Sequence, residues 1–221
     1  MYRQGLKASQ APQLVVKLHG ALVASGNKAE ADKTASSWLQ DHPKDSVFRF
    51  YLAEYASAQR DYASAAKQYQ ALLQIQPENA LALNNLAWVS GQLKDPKAIE
   101  YAERVNSLAS NQPAMMDTLA MLLAESGNTD RALQLLNRAL SIAPQAADIR
   151  LNLARVLIQV GKKSDAKAAL DEIAKLGTSY PRQTEVEELR KALLAVLDTV
   201  APPEPKATRP AARNRAKLAA E

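Results

Sequence analysis

The stretch LALNNLAW, residues 81–88, decides how the rest of the sequence is interpreted. It is mainly apolar, it contains two adjacent asparagines, and it ends on one of the two tryptophans of the chain. Its pair Leu86-Ala87 recurs: leucines at positions 18, 52, 86, 119 and 153 are each followed by alanine, except that His19 follows the first. The intervals are 34, 34, 33 and 34 residues. A constant period of this length is typical of an array of helical repeats.

A second series of residues has the same period. Alanines at positions 31, 65, 98, 132 and 166 lie at intervals of 34, 33, 34 and 34 residues. The one missing residue must therefore fall between Leu86 and Ala98, in the turn QLKDPKA. A deletion in such a turn does not disturb the register of either helix.

Each period contains the turn residues and small residues that are typical of two packed helices joined by a turn. Gly26, Gly127 and Gly161 lie where the first helix must end, a position suited to positive φ. The Asn or Asp that follows favours the start of the second helix, and a proline ends that helix. Small residues allow the two helices to approach closely, while leucines fill the space between them. The small residues of the first helices are Ala53, Ala87, Ala120 and Ala154.

These series resemble the tetratricopeptide repeat (TPR) family over residues 12–180. The resemblance implies an all-α fold, a right-handed superhelical solenoid of tandem helix-turn-helix repeats. His19 departs from the family pattern, because a small residue is usual at its position, and the last repeat lacks a proline at its expected end. The predicted repeats are 12–45, 46–79, 80–112, 113–146 and 147–180.

The segments outside the repeats are predicted separately. Residues 1–11 are expected to form a partial helix or an N-terminal cap. Residues 181–200 contain TEVEELRKALLAVL and are expected to form a helix that caps the last repeat. Residues 201–221 carry five basic and two acidic residues, +3 of the net charge of +5, and are expected to form a flexible basic tail. The apolar residues of the capping helix are Val186, Leu189, Leu193, Val196 and Leu197.

A narrower resemblance rests on LALNNLAW, DPKAIEYAERV, MDTLAMLLAESG and RALQLLNRALSIAP. Over about residues 12–195 the chain resembles the C-terminal repeats of the TPR-repeat lipoproteins (PrsT) of the PEP-CTERM/exosortase system. That resemblance implies a role in bacterial exopolysaccharide production and surface-protein sorting, at the periplasm or outer membrane. Such lipoproteins carry a lipidated N-terminal cysteine, and this sequence has no cysteine. We therefore expect a C-terminal fragment of a longer protein or a relative without the anchor.

The TPR resemblance also predicts a binding site, because the first helix of each repeat lines a concave groove in this family. Trp88 is the most prominent of the predicted groove residues. Its ring can anchor a peptide or stack on a sugar, or it can pack against a neighbouring repeat. The predicted groove positions are Val16, Gly20, Phe50, Glu54, Asn84, Trp88, Asp117, Met121, Leu151 and Arg155.

Other polar and aromatic residues are expected to be structural. Asn85 and Asn152 share one repeat position, and hydrogen bonding to a nearby helix terminus is favoured over ligand binding. Trp38 is expected in the core, and Tyr62 and Tyr69 are expected to pack between helices. Only Arg155 is basic among the groove positions, which argues against the clamp for terminal carboxylates found in chaperone-binding TPR domains.

Several classes of function are disfavoured. The absence of cysteine excludes thiolate chemistry and cysteine-ligated metals, and the two histidines, His19 and His42, do not suggest a metal cluster. No glycine-rich phosphate loop is present, so no enzyme activity and no cofactor are predicted. The basic tail lacks interleaved aromatics, and nucleic-acid binding is not expected. No apolar run reaches the roughly 20 residues of a membrane span.

The leading hypothesis is a non-enzymatic scaffold whose groove binds a peptide or protein segment, as a monomer or weak homodimer. Two alternatives remain. Trp88 can belong to a carbohydrate-binding module, or the chain can be a cytoplasmic TPR regulatory module cut from a larger protein.

Overall fold

The computed structural model describes residues 11–200, with side chains described as far as residue 195. In this range the chain forms eleven α-helices and one short 3-10 turn, with no strand. The helices are α1 Pro12–Ala24, α2 Lys28–Asp41, α3 Ser46–Ala58, α4 Tyr62–Ile75, α5 Ala80–Gln92, α6 Ala98–Leu108, α7 Pro113–Glu125, α8 Thr129–Ile142, α9 Ala147–Gln159, α10 Lys163–Ala174 and α11 Gln183–Val200. The all-α repeat fold expected from the sequence is confirmed. The expectations for residues 1–10 and 201–221, and for the side chains of Val196 and Leu197, lie outside the described part.

Side chains at the helix starts satisfy backbone N–H groups that have no partner inside the helix. Asp45 accepts from Phe48 N at 2.9 Å, and Asn79 accepts from Ala82 N at 3.0 Å. Asp61 caps α4 in the same way. Helices α1 and α7 instead begin with proline, whose missing N–H costs nothing at that position.

Each turn between the two helices of a hairpin contains a residue in the left-handed conformation. Gly26, Gly127 and Gly161 have φ of 78°, 89° and 78°, which confirms the expectation for these glycines. Arg60 and Lys94 adopt φ of 58° and 57° at the equivalent positions, so the turn geometry persists where the sequence lacks glycine.

The expected role of the next residue is confirmed only in part. The Asp61 side chain caps α4, but the side chains of Asn27 and Asn128 make no capping hydrogen bond. The Asn27 amide donates to Ser25 Oγ at 3.1 Å instead, within its own turn. Since the backbone of the turn already orients the second helix, the asparagine side chain is not needed for this purpose.

Replacing Gly127 by alanine tests the left-handed turn. A Cβ added at Gly127 would meet no atom of the described residues within 4 Å, so the expected loss of about 1–2 kcal/mol in the free energy of unfolding comes from backbone strain. Gly20→Ala is the matched control, because Gly20 lies inside α1 and its added Cβ makes an ordinary 3.5 Å contact with Tyr51 Oη. Urea denaturation should show a loss only for Gly127→Ala, and equal effects would contradict this account.

The missing residue of the third repeat lies in the turn between α5 and α6. Lys94 keeps the left-handed turn position, and Ala98 is the buried alanine of the next helix, so the deletion lies between them. Helix α6 begins at Ala98 itself, whereas α4 and α8 begin three residues before their equivalent alanines. The deletion is therefore absorbed by the loss of the first turn of α6.

The core follows the two periodic series. Ala53, Ala87, Ala120 and Ala154 are fully buried where the two helices of each hairpin meet. The leucines before them are buried as well, with the exception of Leu52, which is half-buried. The expectation that Leu52 fills the core is therefore only partly correct, because a cavity lies next to it.

The expected core position of Trp38 is confirmed. Its ring is 8% exposed, its Nε1 donates to Asp45 Oδ2 at 2.7 Å, and His42 stacks on it with ring centroids 3.9 Å apart. At the other end of the described chain, α11 packs on α10 and buries Val186 and Leu193 in the same apolar cluster as Ile173.

Candidate functional site

We use the term groove face for the side of α3, α5, α7 and α9 that carries the groove residues expected from the sequence. Trp88 and Glu54 are exposed on this face, whereas Leu151 is fully buried and cannot contact a partner. Leu151 is therefore removed from the candidate site, because its side chain belongs to the buried apolar cluster that extends from α5 to α11. The remaining residues of the set are half-buried: Phe50, Asn84, Asp117, Met121 and Arg155, together with Val16 and Gly20 on α1.

An apolar depression of about 340 Å³ opens on the groove face between α3 and α5. Val47, Phe50 and Leu81 line it, and Val47 and Leu81 are 49% and 53% exposed. Both residues were missed by the sequence analysis. They lie three residues before Phe50 and Asn84 on the same helices, and this i, i+3 spacing is the signal that could have identified them.

Next to this depression lies a polar cluster formed by three helices. Tyr69 Oη donates to Glu54 Oε1, while the Asn85 amide donates to Glu54 Oε1 at 2.9 Å and to Tyr69 Oη at 3.2 Å. Burial and the hydrogen bond to Glu54 raise the pKa of the Tyr69 phenol, so the hydroxyl stays protonated and keeps its role as donor. Asn85 thus holds α5 against the preceding hairpin.

Asn84 and Trp88 lie one turn apart at the edge of this cluster. The Asn84 amide donates to Asn85 Oδ1 at 3.3 Å, and Asn84 Oδ1 is buried without a hydrogen-bond partner among the described residues. The Trp88 ring contacts Tyr62 edge to face, with centroids 5.4 Å apart, yet Trp88 remains 43% exposed. Packing against the neighbouring hairpin and an accessible ring surface therefore coexist at Trp88.

The C-terminal half of the groove face is ionic. The Asn152 amide donates to Asp117 Oδ1 and Oδ2 at 2.9 Å and 3.0 Å, and Arg155 donates to Asn152 Oδ1 at 2.8 Å. Burial raises the pKa of the Asp117 carboxyl to about 6, and the nearby Asp148 carboxylate adds to the increase against the opposing effect of Asn152 and the arginines. The Asp117 carboxyl therefore titrates nearer to neutral pH than an ordinary aspartate does.

Arg155 continues this network to the C-terminal helix. It forms a salt bridge with Glu185, which also pairs with Arg182 at 2.9 Å. Arg182 reaches Asp148 at 3.2 Å, and the Tyr180 hydroxyl donates to the same carboxylate at 2.7 Å. These charges neutralise one another, so the ionic half of the groove face has few free groups for a ligand.

The structural interpretation of the two equivalent asparagines is supported, but with different partners from those expected. Asn85 and Asn152 each bond to a carboxylate on the first helix of the preceding hairpin, Glu54 and Asp117, rather than to a helix terminus. They act as links between successive hairpins. This arrangement leaves the apolar depression and Trp88 as the groups available to a partner.

Within residues 11–200, no group of three or more metal-ligating side chains comes together. Among the helices described, none combines the length and apolarity that crossing a bilayer demands.

Comparison with known proteins agrees with the fold. The family models described as "Tetratricopeptide repeat" match residues 21–80, 50–106 and 123–184. Among solved structures, YrrB, a TPR protein with an unusual peptide-binding site, superposes with a TM-score of 0.61 at 17% identity, over 85% of this chain and 97% of YrrB. PilW, a type IV pilus biogenesis factor, superposes with a TM-score of 0.65 at 18% identity, over 87% of this chain and 94% of PilW.

Curated relatives are much longer proteins. Cellulose synthase 2 operon protein C of Komagataeibacter xylinus is 30% identical over 147 residues, 64% of this chain and 11% of that protein. Protein FlbA of Caulobacter vibrioides is 23% identical over 155 residues, 70% of this chain and 26% of FlbA. The chain thus spans only about a tenth to a quarter of these two relatives. Because the family models cover more than half of the sequence, the chain belongs to the tetratricopeptide repeat family.

Proposed function

We propose that this chain is a non-enzymatic scaffold whose groove face binds a segment of a partner protein. One observation carries the proposal: Val47, Leu81 and Trp88 expose apolar surface on the consecutive first helices α3 and α5, beside polar groups that are paired with one another. Large exposed apolar side chains grouped on one face are typical of interaction sites.

The proposed contacts follow from the shape and charge of this face. An apolar side chain of the partner fills the depression lined by Val47, Phe50 and Leu81. The accessible surface of Trp88 covers a second position of the same segment, because a rigid ring gives a large contact area at low entropic cost. Arg155 and Asp117 contribute less, since their hydrogen-bonding groups are already engaged within the protein.

Alanine substitutions test this assignment. Trp88→Ala and Leu81→Ala are each expected to reduce partner capture from extracts of the native host by about tenfold, as for a central interface residue. Leu93→Ala is the matched control, because Leu93 is 44% exposed at the end of α5 but lies outside the depression. Quantitative mass spectrometry of the captured proteins measures the effect, with circular dichroism to establish that each variant is folded. Equal capture by all three variants would refute the site.

We also propose a cellular context, in which the partner belongs to a bacterial exopolysaccharide assembly of the cell envelope. The support comes from the cellulose synthase operon relatives and from the resemblance to the PEP-CTERM/exosortase lipoproteins. Deleting the gene in its host should reduce secreted polysaccharide. Wild type should restore it and the Leu81→Ala/Trp88→Ala double variant should not; unchanged polysaccharide after deletion would exclude this context.

Carbohydrate binding is the second candidate, and the exposed ring of Trp88 favours it. A sugar stacked on this ring would change its fluorescence. In a Trp38→Phe background, in which Trp88 is the remaining tryptophan, titration with the host polysaccharide should change the emission. A constant signal from a folded variant rejects carbohydrate binding and leaves the protein-binding proposal intact.

A further inference from the structure

A second cavity, of about 630 Å³, lies on the other side of the N-terminal hairpins. Its walls are α2 and α4, and the end of α3 and His19 of α1 complete it. We call it the α2–α4 cleft. Tyr55 and Gln59 of α3 line this cleft, and they lie about 140° and 180° around the helix from Phe50. The cleft is therefore separate from the groove face.

The sequence explains why the cleft is open. One turn after the periodic alanine of the second helix, Tyr69, Leu136 and Leu170 are buried and fill the space between hairpins, whereas α6 has the small, fully buried Ala102 there. Ala35 occupies the equivalent position in α2 and leaves that space empty. His19, in turn, stands where the other first helices have alanine. The first hairpin is therefore the one described hairpin that combines a large residue, His19, with a small one, Ala35, and Leu52 is half-buried at the edge of the cleft.

His19 is the buried polar side chain of the cleft that a ligand would contact. Its side chain is 1% exposed, and Nδ1 lies 3.0 Å from Tyr51 Oη. The other ring nitrogen has no hydrogen-bond partner among the described residues, although the ring lines the cavity. Burial lowers the pKa of His19, against a smaller opposing effect of the Asp32 carboxylate. In the neutral tautomer that donates from Nδ1 to Tyr51 Oη, the other ring nitrogen can accept a hydrogen bond from a donor in the cleft.

The charges around His19 favour a cation. The carboxylate of Asp32 on α2 makes no hydrogen bond or salt bridge with the other described residues. Asp61 stands on the opposite wall, and one of its oxygens accepts from Ser64 N at 3.1 Å. Among the described residues of the lining, Lys28 is the one cationic side chain, and two carboxylates and one ammonium give these residues a net charge of −1. Tyr55 adds an aromatic ring, 5.3 Å from His19, against which a cation can pack.

We propose that the α2–α4 cleft binds a guanidinium or ammonium group, with Asp32 as the charged acceptor and His19 as the neutral one. The same chemistry is offered by the arginine or lysine side chain of a protein and by a free organic amine. The cleft is a second site, independent of the groove face, and its ligand enters between α2 and α4.

The two histidines of the chain provide the test, because His19 lies in the cleft and His42 stacks on Trp38 outside it. Agmatine and N-acetyl-arginine-N-methylamide are titrated into the whole chain while the imidazole signals are followed by NMR. The His19 signals should shift to saturation and those of His42 should stay constant. Tighter binding of agmatine indicates a free amine as the natural ligand, and tighter binding of the amide indicates a protein side chain.

Substitutions in the cleft test both the direction and the magnitude of the expected changes in agmatine affinity. Asp32→Asn should weaken agmatine binding by about tenfold through the loss of a charge-assisted hydrogen bond. Lys28→Ala should strengthen it, whereas an anionic ligand would require the opposite. Ala35→Leu should fill the cleft and abolish binding in a folded protein with unreduced thermal stability, and Trp88→Ala should leave agmatine binding unchanged. Absence of a shift at His19, equal shifts at both histidines, or unaltered binding by Asp32→Asn would overturn the proposal.

Discussion

Replacing Leu86 by alanine is expected to lower the free energy of unfolding by about 2–5 kcal/mol. Leu86 is 1% exposed and packs in the apolar cluster that joins α4 and α5, so its removal leaves a cavity between two hairpins. The surrounding helices cannot close this cavity without moving the fully buried Ala53 and Ala65. Urea denaturation followed by circular dichroism measures the loss.

Leu81→Ala is the control for this prediction within the same helix. It makes the same chemical change five residues earlier, at a side chain that is 53% exposed. We expect a loss below about 1 kcal/mol, because little apolar surface returns to water. Comparable losses for the two variants would mean that the recurring leucine does not form the interface between the hairpins.

Replacing Asp117 by asparagine is expected to stabilise the protein at pH 7.5 by up to about 3 kcal/mol, with no effect near pH 3. The folded state raises the pKa of this carboxyl to about 6 from an unfolded value of 3.8, mainly through burial. Between these values the folded protein binds the proton more tightly than the unfolded chain. The stability of the wild type therefore falls as pH rises from about 4 to 6, whereas asparagine carries no charge to bury.

The measurement is the free energy of unfolding of both proteins at intervals from pH 3 to 8. The difference between them should grow through the pH 4–6 window and then stay constant. Asp130→Asn, at an exposed carboxylate in the first turn of α8, controls for the general effect of removing a negative charge. A pH-independent difference for Asp117→Asn would show that burial does not control this carboxyl.

The fold was predictable from the sequence because its determinants are local and periodic. The recurrence of Leu86-Ala87 identified the helix pairs, and the prolines and left-handed glycines identified the turns. The left-handed conformation of Arg60 and Lys94 could not be predicted from the residue type. Both adopt the same backbone conformation as the glycines, although their side chains give no sign of it. Packing of the flanking helices determines the turn at these two positions.

The candidate site was predictable only in outline. Leu151 falls at a groove position by its number but is buried, whereas Val47 and Leu81 were not selected and are exposed. The orientation of each first helix relative to its neighbours decides which side chains are accessible, and this orientation depends on contacts between repeats. The hydrogen-bond partners of Asn85 and Asn152 also depend on contacts between repeats. The partner carboxylates, Glu54 and Asp117, lie 31 and 35 residues away in the sequence.

The central claim is that the apolar end of the groove face holds the partner, and site-specific photo-crosslinking tests it most directly. A photoreactive phenylalanine analogue is placed at Leu81 in one strain of the native host and at Leu93 in another, both exposed positions near the ends of α5. Mass spectrometry then maps the adducts. We expect one recurrent partner segment crosslinked at position 81, which is lost when Trp88→Ala is added and is not formed from position 93. Adducts from position 93 alone, or the same adducts from both positions, would contradict it.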